Sequence, residues 1–228
     1  RFSTYSLTSG VIETSVPFKL YLIVTLYNKE EIKKSPQRPQ VIVYASILNC
    51  VIPDYLEKYY WWAYVRPWAV RIFERQWLIN LILFGNYAKL RDIALEEFGE
   101  NIPGRTLQMS CCYGNLTPRL AERAAKNGSV LDVIDILPIQ LENLRRKIPQ
   151  GIPANLRVMD ASALNFPDAN FDRVLVFFLF HEEPQDYRER TMSEALRVLK
   201  PGGKIIVMDY GRPISWHPVW IFIRLFLA

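Results

Sequence analysis

His181 and Glu182 are adjacent and combine the two side-chain types best suited to moving a proton near neutral pH. They follow the apolar run Arg173–Phe180, and either can serve as a general base or a metal ligand; the alternative is a helix cap. A second group is Leu107–Gln108–Met109–Ser110–Cys111–Cys112–Tyr113–Gly114–Asn115, an apolar run that passes into a loop with a single glycine. In a strand–loop–helix unit, such a loop is where backbone amides approach a nucleotide. Asp135 lies about 20 residues beyond Gly114, the spacing at which a carboxylate accepts ribose hydroxyls. It also suits the start of a helix opening at Pro138, where a negative charge favours the helix dipole. Asp160 closes a third apolar run and is followed by Ala161–Ser162–Ala163–Leu164. The adjacent Cys111 and Cys112 lack metal-ligand spacing and read as packed small hydrophobes rather than nucleophiles. His217, in an aromatic, proline-containing stretch, reads as structural or interfacial.

The elements that must position these groups alternate regularly after Pro103–Gly104. Apolar runs at Thr106–Ser110, Val130–Asp135, Leu156–Met159, Arg173–Phe180 and Lys204–Asp209 predict strands. Helical patterns separate them. Thr117–Pro118 predicts an N-cap with proline at the first helical position, and Gly128 ends that helix. Pro138 opens the next helix, Glu183–Pro184 opens one running to Leu199, and Lys200–Pro201–Gly202–Gly203 predicts a turn. This alternation specifies right-handed crossovers and a parallel sheet, with ligands beyond the carboxyl ends of the strands. The chain stops at Ala228 with no further strand visible after Asp209, so the C-terminal strands of such a sheet are expected to be missing.

Upstream, residues 1–52 read as a poorly ordered extension with a linker at Lys33–Pro39. The start, Arg1–Ile12, is rich in Ser and Thr without acids, as in the tail of a mitochondrial transit peptide. Residues 53–100 read as a helical cap, with helices over Trp68–Phe84 and Tyr87–Phe98; residues 101–228 read as the nucleotide-binding domain. Hydrophobic residues make up 50% and charged residues 22%, which excludes a disordered chain. The formal charge of +5 comes without a basic block, so no nucleic-acid partner is expected. No charge-free run reaches the roughly 20 residues needed to span a bilayer. Six tryptophans flank apolar helical stretches, and residues 68–84 with 214–227 suit either a membrane surface or a cap buried on the sheet.

Two stretches, Asp168–Asp172 and Ala195–Lys204, resemble class I S-adenosylmethionine-dependent methyltransferases. The resemblance implies a Rossmann-like α/β fold, a parallel sheet flanked by helices. It assigns S-adenosylmethionine to Gln108, Ser110, Gly114, Asp135, Asp160 and Ala161, with Asp160 near the adenine. In those enzymes the position of Gln108 is usually acidic and three alternate glycines follow; here only Gly114 remains. That departure, with the Tyr60–Trp61–Trp62–Ala63–Tyr64 segment, Gln140–Lys147 and Pro201–His217, resembles the RquA family of rhodoquinone biosynthesis proteins. The resemblance implies exchange of a ubiquinone ring methoxy group for an amino group, with S-adenosylmethionine as amino donor and Mn²⁺ assisting. It implies catalytic roles for Tyr113, His181 and Glu182, and metal ligation by Asp160 and His181. Partners then include ubiquinone, a membrane surface and other quinone-biosynthesis proteins. The location would be the mitochondrial inner membrane in a eukaryote, or the cytoplasmic face of the inner membrane in a bacterium. That family carries an acid where Asn115 stands. Two other readings remain open, an ordinary quinone methyltransferase and a non-catalytic scaffold.

Overall fold

The computed structural model describes residues 10–12, 22–28, 52–83 and 85–210. Five strands form the parallel sheet the alternation predicts: β3 (Thr106–Met109), β4 (Leu131–Asp135), β5 (Ala154–Val158), β6 (Phe171–Phe177) and β7 (Leu199–Tyr210). Their order is β7-β6-β3-β4-β5, so the chain starts in the middle, builds outward through β5 and returns to the other side with β6. Such a reversal leaves a crevice between β3 and β6 at their carboxyl ends. The loops after these two strands hold Gly114 and His181–Glu182.

The strands are apolar on both sides because both faces are covered. On one face, Val133, Leu175, Phe177, Ile206 and Met208 pack under α4 (Tyr87–Phe98) and α5 (Leu116–Lys126). Their neighbours in sequence, Ile134, Val174, Val176, Ile205 and Val207, turn to the opposite face and meet Ala195 and Val198 of α7 (Gln185–Val198). This two-residue alternation fixes the register of each strand, since a slip of one would exchange the faces. α6 (Pro138–Lys147) adds Leu144 to the first core and begins at Pro138 as expected.

The sheet does not end at β7. β2 (Leu22–Asn28) pairs antiparallel with β7 from Leu22↔Tyr210 to Asn28↔Lys204, and β1 (Gly10–Ile12) pairs antiparallel with β2. Residues 10–12 and 22–28 are thus strands within the stretch 1–52, where little order was expected; the other residues up to 51 lie outside the described residues. The N-terminal segment supplies the antiparallel edge, which satisfies the outer N–H and C=O groups of β7. The signal was present in Ile23–Val24–Thr25, three β-branched residues in a run. Pro201–Gly202–Gly203 lies within β7 at a register shift opposite Phe171–Arg173, rather than in a turn before it.

The cap consists of α1 (Leu56–Val65), α2 (Pro67–Phe73), α3 (Gln76–Ile82) and α4. α1 is wound with five-residue spacing and ends with the Arg66 N–H on Trp61 O. The single helix expected over Trp68–Phe84 is broken at Glu74–Arg75, where Arg75 is extended. α5 starts at Leu116, earlier than Thr117–Pro118 suggested. The Tyr87 hydroxyl accepts the Asn115 and Leu116 N–H groups, and Thr117 instead bonds Gln108. The stretch 214–227, with Trp216, His217 and Trp220, lies outside the described residues, as do Cys50 and the 33–39 linker.

Leu22–Val24 is flanked by strands on both sides, so an Ile23→Pro substitution removes a ladder hydrogen bond whichever neighbour receives it. The variant is expected to unfold at lower urea concentration, with a loss of about 1–3 kcal/mol. An unchanged midpoint would show that the edge contributes nothing to stability.

Candidate active site

The loop after β3 is held from two sides by carboxylates. On the sheet side, Asp135 Oδ2 accepts the Cys111 N–H at 2.7 Å and the Ser110 hydroxyl at 3.3 Å, while Oδ1 accepts the Leu137 N–H at 2.8 Å. On the cap side, Glu74 Oε1 accepts the Gly114 N–H at 3.0 Å, and Oε2 takes Asn143 at 2.7 Å and Lys147 at 2.9 Å. Lys147 also donates to the carbonyls of Cys112 and Gly114. The break between α2 and α3 places Glu74 here.

Ser110 has φ of 71°, a left-handed conformation unusual for a residue with a side chain. Gly114 has φ of 86°, and a Cβ there would collide with the Tyr87 ring and hydroxyl. Its glycine is therefore required by the approach of α4, and the two missing glycines are replaced by side-chain bracing.

Gln108, at the position that is usually acidic, is fully buried. Its Nε2 donates to Thr117 Oγ1 at 2.9 Å and Ser110 O at 3.0 Å, while its Oε1 has no hydrogen-bond partner among the described residues. An orphaned buried acceptor beneath a nucleotide loop fits a donor from a ligand. Cys111 and Cys112 are held above the usual thiol range, chiefly by burial, and pack against the core as expected.

Tyr113 is stacked between Tyr64 and Phe73, at centroid distances of 5.7 and 6.1 Å. Its hydroxyl donates to Ala63 O at 2.7 Å and accepts from Gln140 at 2.9 Å. Burial pushes its pKa up, so the group stays protonated and ties the cap to the loop. Tyr64 reaches further, bonding Glu182.

The loop after β6 carries His181 and Glu182. His181 Nδ1 meets Asp209 Oδ1 at 3.0 Å, and its backbone N–H meets Oδ2 at 3.1 Å. With Asp209 ionised the Nδ1 carries the proton, and Nε2 faces Glu182 Oε1 at 3.6 Å. Burial disfavours the imidazolium, but the bond to Asp209 and the charges of Glu182 and Asp209 outweigh it and raise the His181 pKa. Burial lifts Glu182 to about 7, with His181 and Tyr64 opposing and Asp135 and Asp209 adding repulsion. The pair can thus take or release a proton near neutral pH.

Asp160 caps the Ser162 N–H at 2.7 Å, and the adjoining Ala161 packs on the second core. The structure gathers Tyr113, Glu182, His181 and Asp135 around the crevice. Among the described residues no three His, Cys, Asp or Glu side chains form a ligand set, and His181 Nδ1 bonds Asp209, the kind of carboxylate partner that also supports a metal-bound imidazole.

Glu74, Tyr87, Lys147, Glu183 and Asp209 were absent from the sequence candidates. Most act through a partner distant along the chain: Glu74 and Lys147 lie 73 residues apart. Glu183 is the least expected. It is 4% exposed, its Oε1 accepts from Thr191 at 2.8 Å, and its Oε2 has no partner among the described residues.

Fold and sequence each resemble known proteins. Residues 107–207 match the family described as methyltransferase domain, and the sheet is the Rossmann-like fold of class I S-adenosylmethionine-dependent methyltransferases. A solved S-adenosylmethionine-dependent methyltransferase from Aquifex aeolicus shares the fold at TM-score 0.52 and 16% identity, over 71% of this chain and 87% of that one. Among individual proteins, the chain is similar to the demethylmenaquinone methyltransferase of Thermus thermophilus, 35% identical over 60% of each. It is also similar to the ubiquinone/menaquinone biosynthesis C-methyltransferase UbiE of Azotobacter vinelandii, 31% identical over 60% of this chain and 54% of that protein. The aligned region spans only 54–60% of the length of these relatives.

Removing Glu74 leaves the Gly114 N–H without its acceptor and takes the carboxylate from Lys147 in a partly buried loop. Glu74→Ala is expected to weaken S-adenosylmethionine binding about tenfold by calorimetry, the loss of one such charged bond. An unchanged affinity would show that the clamp does not shape the loop.

Burial lifts Glu183 from the ordinary value of 4.5 to about 7, with Asp160 and Glu182 adding repulsion and Thr191 opposing. Between those values the folded chain binds more protons than the unfolded one, so this group makes stability fall as pH rises from about 4.5 to 7. Glu183→Gln keeps the acceptor for Thr191 and removes the ionisation. The variant is expected to be more stable than wild type at pH 8, by up to about 3 kcal/mol, and little changed near pH 4.5. Urea titrations at the two pH values check this; equal differences would refute it.

Proposed function

We propose that the chain uses S-adenosylmethionine to modify a quinone ring, and that the modification exchanges a ring methoxy group for an amino group. The quinone is supported by the quinone-methylating activities for which the Thermus and Azotobacter relatives are named, and the fold supports the cofactor. Gln108 carries the specific reading. A carboxylate at this position would hold the cofactor's ammonium charged, whereas a neutral amide oxygen accepts a hydrogen bond equally from the free amine. The orphaned Gln108 Oε1 is such an acceptor. When bound, S-adenosylmethionine supplies either a methyl group or, on this reading, its amine nitrogen. Asp135 and Asp160 are assigned to the ribose and adenine. Glu182 and His181 are assigned to take the proton released as nitrogen joins the ring and to return one to the departing methoxy oxygen; the α-carbon then gives its proton and two electrons to the quinone, and water cleaves the resulting imine, leaving an aminohydroquinone and a 2-oxo acid.

Ring methylation is the second reading, and the names of the relatives favour it. The two differ in product mass. A ubiquinone analogue incubated with S-adenosylmethionine carrying ¹⁵N at its amine, in buffer containing Mn²⁺, is expected to lose OCH₃ and gain ¹⁵NH₂. A product heavier by CH₂ without label would establish methyl transfer. No turnover with the cofactor bound would favour a non-catalytic scaffold. Glu182→Gln is expected to bind cofactor normally, to slow turnover about 100-fold, and to abolish the loss of rate below pH 7.

A further inference from the structure

Seven of the eight large apolar side chains most exposed among the described residues lie between Tyr59 and Ile82. The eighth, Val158, is on the distant edge strand β5. Scattered exposed apolar residues need no explanation, but concentration in one short segment does. Their spacing is helical. Trp68 and Ile72 stand four apart on α2, and Trp77 and Leu81 stand four apart on α3, with exposures of 54, 40, 61 and 65%. α2 and α3 are consecutive and in contact.

The charge around these residues is cationic. Over residues 54–82, Lys58, Arg66, Arg71 and Arg75 are exposed, against exposed Asp54 and Glu57; Glu74 is turned inward to Lys147. Arg71 lies three positions from Trp68 on α2, and Arg75 is exposed in the break between α2 and α3. Arg66 sits over the Trp61 ring at 5.7 Å. Indole and phenol rings beside guanidinium groups match the layer where acyl chains meet headgroups. No helix among the described residues is long and apolar enough to cross a membrane, so contact would be with one leaflet.

We propose that the outer face of α1–α3 docks this chain on the surface of an anionic lipid bilayer. The inference goes beyond the proposed reaction and does not depend on it. Tryptophan and leucine side chains enter the interface, and the arginines meet lipid phosphates. The inner side of the same helices lines the crevice: Tyr64 and Phe73 stack on Tyr113, and Glu74 holds Gly114. A lipid-soluble substrate would reach the site beneath the docked cap without leaving the bilayer surface.

Flotation with phosphatidylcholine–phosphatidylglycerol vesicles tests this on the whole chain. The protein is expected to float with these vesicles, and less with phosphatidylcholine alone. Arg71→Gln with Arg75→Gln should weaken binding to the anionic vesicles about 25-fold, from about fivefold per cation, and remove most of its salt dependence. Trp68→Ser, Trp77→Ser and Leu81→Ser combined should abolish flotation while leaving S-adenosylmethionine binding intact. Should that variant misfold, quenching of wild-type tryptophan fluorescence by brominated lipid gives the same answer: quenching supports docking, and its absence overturns it. Wild-type protein that stays unbound, or serine variants that float like wild type, would also overturn the proposal. So would variants that alter only self-association, which would make the face a contact between copies.

Discussion

The site depends on how six residues of loop, 110–115, are held with only one glycine among them. A nucleotide loop needs its backbone close to a ligand, and glycine ordinarily provides the conformations for that approach. Here Ser110 takes a left-handed conformation, at a cost of about 1 kcal/mol or more, and needs compensation. It comes from carboxylates on both sides. Asp135 takes the Cys111 N–H and the Ser110 hydroxyl from the sheet, and Glu74 takes the Gly114 N–H from the cap. A sequence that has lost two glycines has thus kept the loop by enclosing it in charge-assisted hydrogen bonds. The cap is accordingly part of the loop's own structure.

Enclosure has an electrostatic consequence. Asp135, Glu182 and Glu183 all bind protons more tightly than ordinary carboxylates, in each case chiefly because they are buried. Tyr55, Tyr60 and Tyr113 around them are pushed the same way. The crevice therefore tends toward neutrality, which suits an apolar ring better than a fully ionised cluster would. Only His181 moves the other way, because Asp209 and Glu182 favour its charged form. One imidazole among reluctant acids leaves the His181–Glu182 pair able to exchange a proton near neutral pH, with Asp209 fixing the ring.

Much of this frame was legible in the sequence, and the reasons for success and failure are physical. The five parallel strands were readable because each is a short apolar run between helix signals, and α4 has the bounds its pattern predicts. The local carboxylates Asp135 and Glu182 were found because strand ends are where ligands bind. What escaped depends on pairing across the chain. β2 looks like any apolar run until β7 offers it an edge, and Glu74 looks like a surface acid until Gly114, 40 residues on, donates to it. Thr117 was read as a cap because its position suits one, yet Gln108 captures its hydroxyl.

The break between α2 and α3 links the remaining parts. Had the helix run on through Arg75, Glu74 could not turn onto Gly114 while Trp68 and Ile72 kept their outward stripe. Ending α2 at Phe73 lets one short element present Trp68 and Arg71 outward and Phe73 and Glu74 toward the loop. A seven-residue helix with no cap bond from its first residue has little stability of its own. Its position is set by what it touches on either side. A contact made on the outer face therefore bears directly on the carboxylate that shapes the loop. Gln108, beneath that loop, bonds the Ser110 carbonyl and so lies within reach of the same change.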